Sequence, residues 1–555
     1  MQKTCTNCSS EFEISESDLK FYEEVGPTIG GKKFTIPPPS LCAPCRMQRR
    51  LSFRNFFHYG HRTCDLSGKE MISMYDTNVS SPIYDMHEWW GDKWSALDYG
   101  IDFSEDQPFF VQLQTIHDTV PRMNIMNTQC ENTDYSNMSF QARNCYLVGG
   151  CVKSEDCCYG HIVWQSKDCF DCLYLYRCER CYECVDCVDS YNLSYSRNCE
   201  NCSDARFLVH CTGCKNCFGC VGIQNKQYYL FNQPLSKEEY EKRMEEFQSG
   251  SHHMISIATT KVQELIGSEI VKHYHGFQCE DVTGDYLYNC KNTFDSYDAK
   301  NCEDCRYLAT TESFHHCHDG NYTGHALEWS YNFLTCYGHQ VFMCHNTMND
   351  CANVFYCQDC YSCKNCFGCV GLKNNQHCIL NKQYTKEEYE VLVQKIIEYM
   401  QSAGEWGEFF PIEISPFGYN QTMSYEYFPM EKEEVLAKGW KWNEEQEEDA
   451  IEDPYEFPDS IQDVPDDICD RVLQCEDTKK PFKIIPKELE FLKEMELPLP
   501  RKCFMQRHKM RMALRNPRKL WDRACGKCNK RIKTTYASER PETVFCEDCY
   551  LAEVY

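Results

Sequence analysis

The sequence predicts a mainly β protein in which two cysteine-rich β-solenoid-like repeats, each with a capping helix, are flanked by duplicated zinc-ribbon modules. Three observations predict it. Most of the 43 cysteines in 555 residues fall between Cys130 and Cys378, that central block matches itself at a fixed offset, and the two ends of the chain match each other. A fixed offset exposes modules that bulk composition conceals.

In chain order the elements are an N-terminal zinc-ribbon module at 1–88, a linker or helical connection at 89–129, and the first repeat at 130–250. A linker at 251–278 leads to the second repeat at 279–400. An acidic, partly flexible linker at 401–468 and a C-terminal zinc-ribbon module at 469–555 complete the chain.

The ends come first. CAPCRMQRRLSFRNFFHYGHRTC, starting at Cys42, stands in register with CFMQRHKMRMALRNPRKLWDRAC, starting at Cys503, so that Arg46, Arg50 and Arg54 meet Arg507, Arg511 and Arg515. An ancestral module with two ion sites explains what each copy retains. Cys5, Cys8, Cys42 and Cys45 form a complete first site, whose C-terminal counterpart has Thr478 and Gln506 in place of two ligands. Cys525, Cys528, Cys546 and Cys549 form a complete second site, matched at the N-terminus by Cys64, Ser67, Asp85 and Glu88. Paired CxxC turns of this kind suit tetrahedral Zn2+, and four protein ligands leave no open position for water or substrate. The cofactor reading is therefore two structural zinc ions, with further metal in the repeats left open.

In the middle, CTGCKNCFGCVGIQNKQ recurs as CYSCKNCFGCVGLKNNQ, with Cys217 in register with Cys366. Within a copy, cysteines preceded by Asn or Asp recur at a step of about twelve to fifteen residues, each followed by a short apolar run, as in NCYLV, DCCYG and DCFDC. The polar residue suits a turn and the run suits a strand, so each step reads as one corner and one strand of a solenoid; an irregular metal-clustered fold is the rival. Ser236 with Glu239, and Thr385 with Glu388, have capping-box spacing. Tyr389, Leu392, Val393, Ile396, Ile397 and Met400 share a helical face.

The runs of four and five cysteines at CxxC spacing invite an iron–sulfur reading, but their fourth interval is wrong for a ferredoxin cluster and no proline follows. Buried thiol ladders need no metal, because cysteine behaves as a small apolar residue. His315, His316 and His318 flank Cys317 and read as rung-edge residues, with a metal role as the alternative. No Gly-rich phosphate loop and no nucleophile elbow is present.

The formal net charge is −27, which disfavours nucleic acid for the chain as a whole. Charge is nonetheless uneven: Arg501 to Lys533 carries thirteen Lys or Arg against one acid, Asp522. Arg46, Arg49, Arg50, Arg54, Arg507, Arg511, Arg515 and Lys519 are the candidate polyanion-binding residues. Docking of this basic face within the molecule, on the acidic linker, or on a protein partner is the competing reading. Residues 431–467, rich in acids and punctuated by Pro454, Pro458 and Pro465, read as a flexible tether.

No stretch approaches the length of a membrane span and the N-terminus lacks an apolar signal core. Cysteine usage of this kind fits a reducing, cytoplasmic setting.

The order LKFYEEV, CAPCRMQRRL, HRTCDLSGKEMISMY, then repeated NCFGCVG with KEEYE, then EWGEFFP and SPFGYNQT, resembles a group of cysteine-rich, zinc-ribbon-bearing bacterial proteins, some labelled CaiB/BaiF CoA-transferase. The resemblance spans nearly the whole chain. It implies zinc at the two cysteine sets and a repeat body, but no particular reaction, and nothing here resembles a transferase aspartate nucleophile. The sequence thus points to a non-enzymatic, zinc-binding scaffold that contacts nucleic acid or a protein. The alternatives are a metal-dependent redox or transferase enzyme sited in the repeats, with an unknown small-molecule substrate, and a zinc or thiol buffer.

Overall fold

A computed structural model describes residues 1–247, 250–267, 269–323, 326–444, 451 and 454–554. Its body is a β-solenoid in two stretches. In the first, Lys167 pairs in parallel with Glu179, Glu179 with Tyr191, Tyr191 with Ser203 and Ser203 with Lys215, one rung every twelve residues. The opposite wall stacks His161 on Leu173 and Leu173 on Val185.

The rung is tighter than one corner and one strand per step. Asp168, Asp171, Tyr174 and Arg177 all have φ between 50° and 54°, so the chain turns at every third residue and four three-residue sides close each rung. This explains why Asn or Asp precedes so many cysteines. The corner requires left-handed backbone, which Asn and Asp tolerate better than most residues, and the next side chain then points inward.

Four inward side chains per rung leave room only for small groups, and Cys169, Cys172, Leu175, Cys178, Cys181, Cys184 and Cys187 fill consecutive positions, all buried. Each thiol sits between two carbonyls. Cys169 Sγ donates toward Lys167 O at 3.2 Å in its own rung and lies 3.6 Å from Cys178 O in the next. Ser154 makes the same two contacts, at 3.1 and 3.0 Å, where a serine takes the position. The CxxC runs thus place successive thiols on successive walls, stacked into ladders.

The second stretch forms one eleven-stranded sheet. Its rungs vary in length, as Glu280 over Lys291, Lys291 over Glu303 and Phe314 over Leu327 show, and it admits larger core residues such as Phe314 and Phe333. Each stretch ends as the sequence predicts. Ser236 and Glu239 close a capping box on helix Lys237–Met244, and Thr385 and Glu388 close one on helix Lys386–Ala403. Tyr389, Val393, Ile396, Ile397 and Met400 of the second helix are buried.

The terminal modules repeat the same order of elements. Hairpin Gln2–Thr4/Glu11–Glu13, helix Glu16–Val25, helix Ala43–Leu51 and hairpin Gly60–Thr63/Glu70–Ser73 correspond to Leu473–Gln474/Pro481–Phe482, Pro486–Glu494, Phe504–Ala513 and Trp521–Ala524/Arg531–Thr534.

The tether expected at 431–467 is largely packed. Lys432–Ala437 is a helix with Val435 buried, Trp440 is buried, and Ile461 lies in the core; these apolar residues outweigh the surrounding acids. Residues 445–450 and 452–453 of that segment lie outside the described residues. The linker after the first repeat holds helix His252–Ile266 and strand Ile270–Lys272, which pairs with Thr543–Phe545 of the C-terminal module.

Candidate metal centres and arginine clamps

Both cysteine sets converge. The ligand atoms of Cys5, Cys8, Cys42 and Cys45 lie within 4.8 Å of one another, as do those of Cys525, Cys528, Cys546 and Cys549, so each tetrad could hold a metal ion. Cys42 caps helix Ala43–Leu51 and Cys45 sits in its first turn, where the helix dipole favours a thiolate. The hydrogen bond from Cys42 brings the Cys45 thiol down to about 5 against the cost of burial, with help from Asn7, whose Nδ2 donates at 3.4 Å. At Cys525, burial opposes ionisation, but the backbone amides of Cys528 and Cys546 lower the thiol to about 6.

The decayed counterparts keep their knuckles. The backbone amides of Ser67 and Asp85 donate to Cys64 Sγ at 3.4 and 3.2 Å, just as the Cys546 amide donates to Cys525 Sγ at 3.3 Å in the intact set. At the other end, the Thr478 hydroxyl lies 3.8 Å from Cys503 Sγ.

The candidate polyanion residues divide sharply, and most of them are already occupied within the chain. Arg46 Nε donates to Asp319 at 2.8 Å. Arg50 reaches Asn321, Asn332 and Asp319 at 2.7, 2.9 and 3.2 Å, and Arg54 reaches Asn346 at 2.9 Å. In the C-terminal module, Arg507 binds Asp171 at 3.0 Å and Glu488 at 3.1 Å, and Arg511 binds Asp171 at 2.9 Å and Glu183 at 3.0 Å. Arg515 bridges Asp186 and Asp298 while lying over the rings of Tyr174 and Tyr286, at 4.0 and 4.3 Å from their centroids. These six guanidiniums are sealed from solvent and hence from a phosphate backbone. Arg49 is partly exposed and pairs with Glu408, and Lys519 is exposed beside Trp521.

The geometry behind this is a match of periods. Arginines four residues apart on a helix lie on one face about 6 Å apart, and solenoid rungs stack about every 4.8 Å. Arg46 and Arg50 therefore meet Asp319 and Asn332 on successive rungs, and Arg54, just past the end of the helix, reaches the His345–Asn346 corner on the next. The basic faces do dock within the molecule, chiefly on the repeats, with Arg49 on Glu408 and His508 on Glu426 of the 401–468 segment. The docking is crossed: the N-terminal helix lies on the second repeat and the C-terminal helix on the first.

A third convergent group has no sequence signal at all. His161 of the first repeat, Glu426 and His508 of the C-terminal helix offer ligand atoms within 4.8 Å of one another, from three distant parts of the chain. His315 and His316 sit half-exposed beside Glu303 and Asp304, while His318 is buried and stacked on Phe21 at 3.6 Å. Among the described residues, the convergent groups are these three, and none contains a ladder thiol or a histidine flanking Cys317.

Among solved structures, one determined for a candidate acetyltransferase from Desulfovibrio desulfuricans G20 aligns over 50% of this chain and 82% of that one, at 7% identity and a TM-score of 0.10. A likeness that slight carries no argument. No family model and no curated protein matches the sequence. Among the described residues, no helix is long and apolar enough to cross a membrane.

Proposed function

We propose that the chain is a zinc-binding, non-enzymatic scaffold in which two structural Zn2+ ions hold the terminal modules in shape, and those modules clamp the two thiol-cored solenoid stretches into one platform for a protein partner. One observation carries the zinc reading. Four Zn–S bonds of about 2.3 Å in a tetrahedron set their sulfurs about 3.8 Å apart, and Cys8 and Cys42 are 3.7 Å apart in one tetrad, as are Cys528 and Cys546 in the other. Four thiolates close the coordination sphere, which supports a structural role. A protein partner is favoured over nucleic acid because the net charge is −27 and the arginines that would track a phosphate backbone are committed to the repeats. The dense CxxC usage supports a reducing, cytoplasmic compartment.

The test is zinc content by variant. Cys8→Ser and Cys528→Ser should each remove one zinc per chain relative to wild type, and tight, salt-sensitive binding of single-stranded RNA or duplex DNA should be absent. Zinc content unchanged in both variants would overturn the metal assignment; strong nucleic-acid binding would overturn the choice of partner.

A further inference from the structure

We propose that His161, His508 and Glu426 form a third metal site, for a divalent first-row ion, with at least one coordination position left for a small ligand. The inference goes beyond the scaffold reading, which concerns only the two thiolate tetrads.

The two rings carry unpaired buried nitrogen. His161 is completely buried, and neither of its ring nitrogens has a hydrogen-bond partner. His508 is buried with Nδ1 unpartnered, while its Nε2 lies 3.0 Å from Glu426 Oε2. Each orphaned buried polar atom costs about 1–3 kcal/mol, and an ion bound at His161 would satisfy one of that ring's two nitrogens.

The donor set fits a divalent ion. Two imidazoles and a carboxylate suit zinc or iron(II), and three protein ligands leave a fourth position free. Tyr322 is buried beside the group, its ring centroid 6.1 Å from that of His161. The surrounding charge permits a cation. Arg515 and Arg518 approach this region, but Asp186 and Asp298 balance them, leaving the Glu426 carboxylate for the ion.

The group also joins distant parts of the chain. His161 comes from the first repeat, Tyr322 from the second, His508 from the C-terminal helix and Glu426 from helix Met423–Tyr427, and Phe57 of the N-terminal module packs on both histidines, at 5.6 and 4.8 Å between ring centroids. An ion here ties the first repeat, the segment that follows the second repeat and the C-terminal helix together, at a point where both modules meet.

The experiment is metal counting on the full chain after loading with Co2+, with Zn2+ loading as a parallel arm. Wild type should hold three ions. His161→Asn and Glu426→Gln should each hold two, with the thiolate-to-cobalt charge-transfer bands of the tetrads unchanged. Glu426 lies at the edge of the site with its side chain 16% exposed, so its variant keeps the test valid should the His161 variant fail to fold. Two ions in wild type, or three retained in Glu426→Gln, would overturn the site. Failure of the tetrads themselves would appear separately, as missing charge-transfer bands.

Discussion

Arg46 and Asp319 are 273 residues apart in the chain, yet the guanidinium Nε donates to the carboxylate at 2.8 Å with neither side chain open to water. Asp319 also takes Arg50 at 3.2 Å, so one buried carboxylate answers two buried cations. Removing one partner of a buried pair typically costs about 3–5 kcal/mol, because the other charge stays behind unpaired. Asp319→Asn should therefore destabilise the protein by at least that much in denaturant melts, with little relief from added salt. A loss below about 1 kcal/mol would show that the clamp is not what holds the module to the repeat.

The equivalent clamp in the other half contains a pH handle. Glu488 is almost wholly buried between Arg507, at 3.1 Å, and the Tyr159 hydroxyl, which donates at 3.0 Å. Burial, reinforced by Asp171 and opposed by Arg507, pushes its carboxyl up to about 7. An unfolded glutamate titrates near about 4.3, so between these values the folded state binds more protons. Stability contributed by this group is therefore complete below the unfolded value and falls as pH rises through 7. Relative to Glu488→Gln, the wild type should lose up to about 3 kcal/mol between pH 4.5 and 8. Parallel stability curves for the two proteins would refute this.

The ladders make a prediction about thiols. Cys184 donates toward Tyr182 O and Leu193 O, at 3.4 and 3.6 Å, and the next residue above it on the same wall is Ser196, whose hydroxyl donates to Ser194 O at 3.0 Å. Serine can therefore replace the thiol with its contacts intact, and Cys184→Ser should cost about 1 kcal/mol or less. In native, metal-loaded protein a thiol reagent should reach chiefly Cys130, Cys279 and Cys469, the partly exposed cysteines outside the tetrads. Rapid labelling of most of the 43 cysteines without denaturant would instead mark an open, exchangeable thiol store.

How much of this was legible beforehand depends on the range over which each signal acts. The capping boxes at Ser236 and Thr385 are local, so four residues suffice to read them. The tetrads were legible because each CxxC is a local knuckle and the duplication paired one knuckle with the other. The rung was half legible: Asn144 and Asp156 announce corners, but Tyr174, Arg177 and Ile162 also turn with positive φ and carry no turn signature, so four corners read as one. The destination of Arg50 was not legible, because a helix shows which face it presents and not what lies opposite. The His161, Glu426 and His508 group was invisible for the same reason, since no single segment holds two of its members.

The decayed site at Cys475 and Cys503 gives the most direct test of the duplicated module. The Thr478 hydroxyl lies 3.8 Å from Cys503 Sγ, close to the 3.7 Å between Cys8 and Cys42 in the intact tetrad, and Thr478 stands where Cys8 stands. Gln506 follows Cys503 at the start of helix Phe504–Ala513 as Cys45 follows Cys42 in helix Ala43–Leu51. The backbone has therefore kept the ligand positions after losing two of the ligands. Thr478→Cys with Gln506→Cys should rebuild a four-thiolate site and raise bound zinc by one ion per chain, with a higher melting temperature that a chelator reverses. Thr478→Cys alone supplies three sulfurs and should bind more weakly. If the double variant binds no additional zinc, the two ends differ in shape at the knuckle, and common descent of the modules no longer explains the complementary cysteine sets.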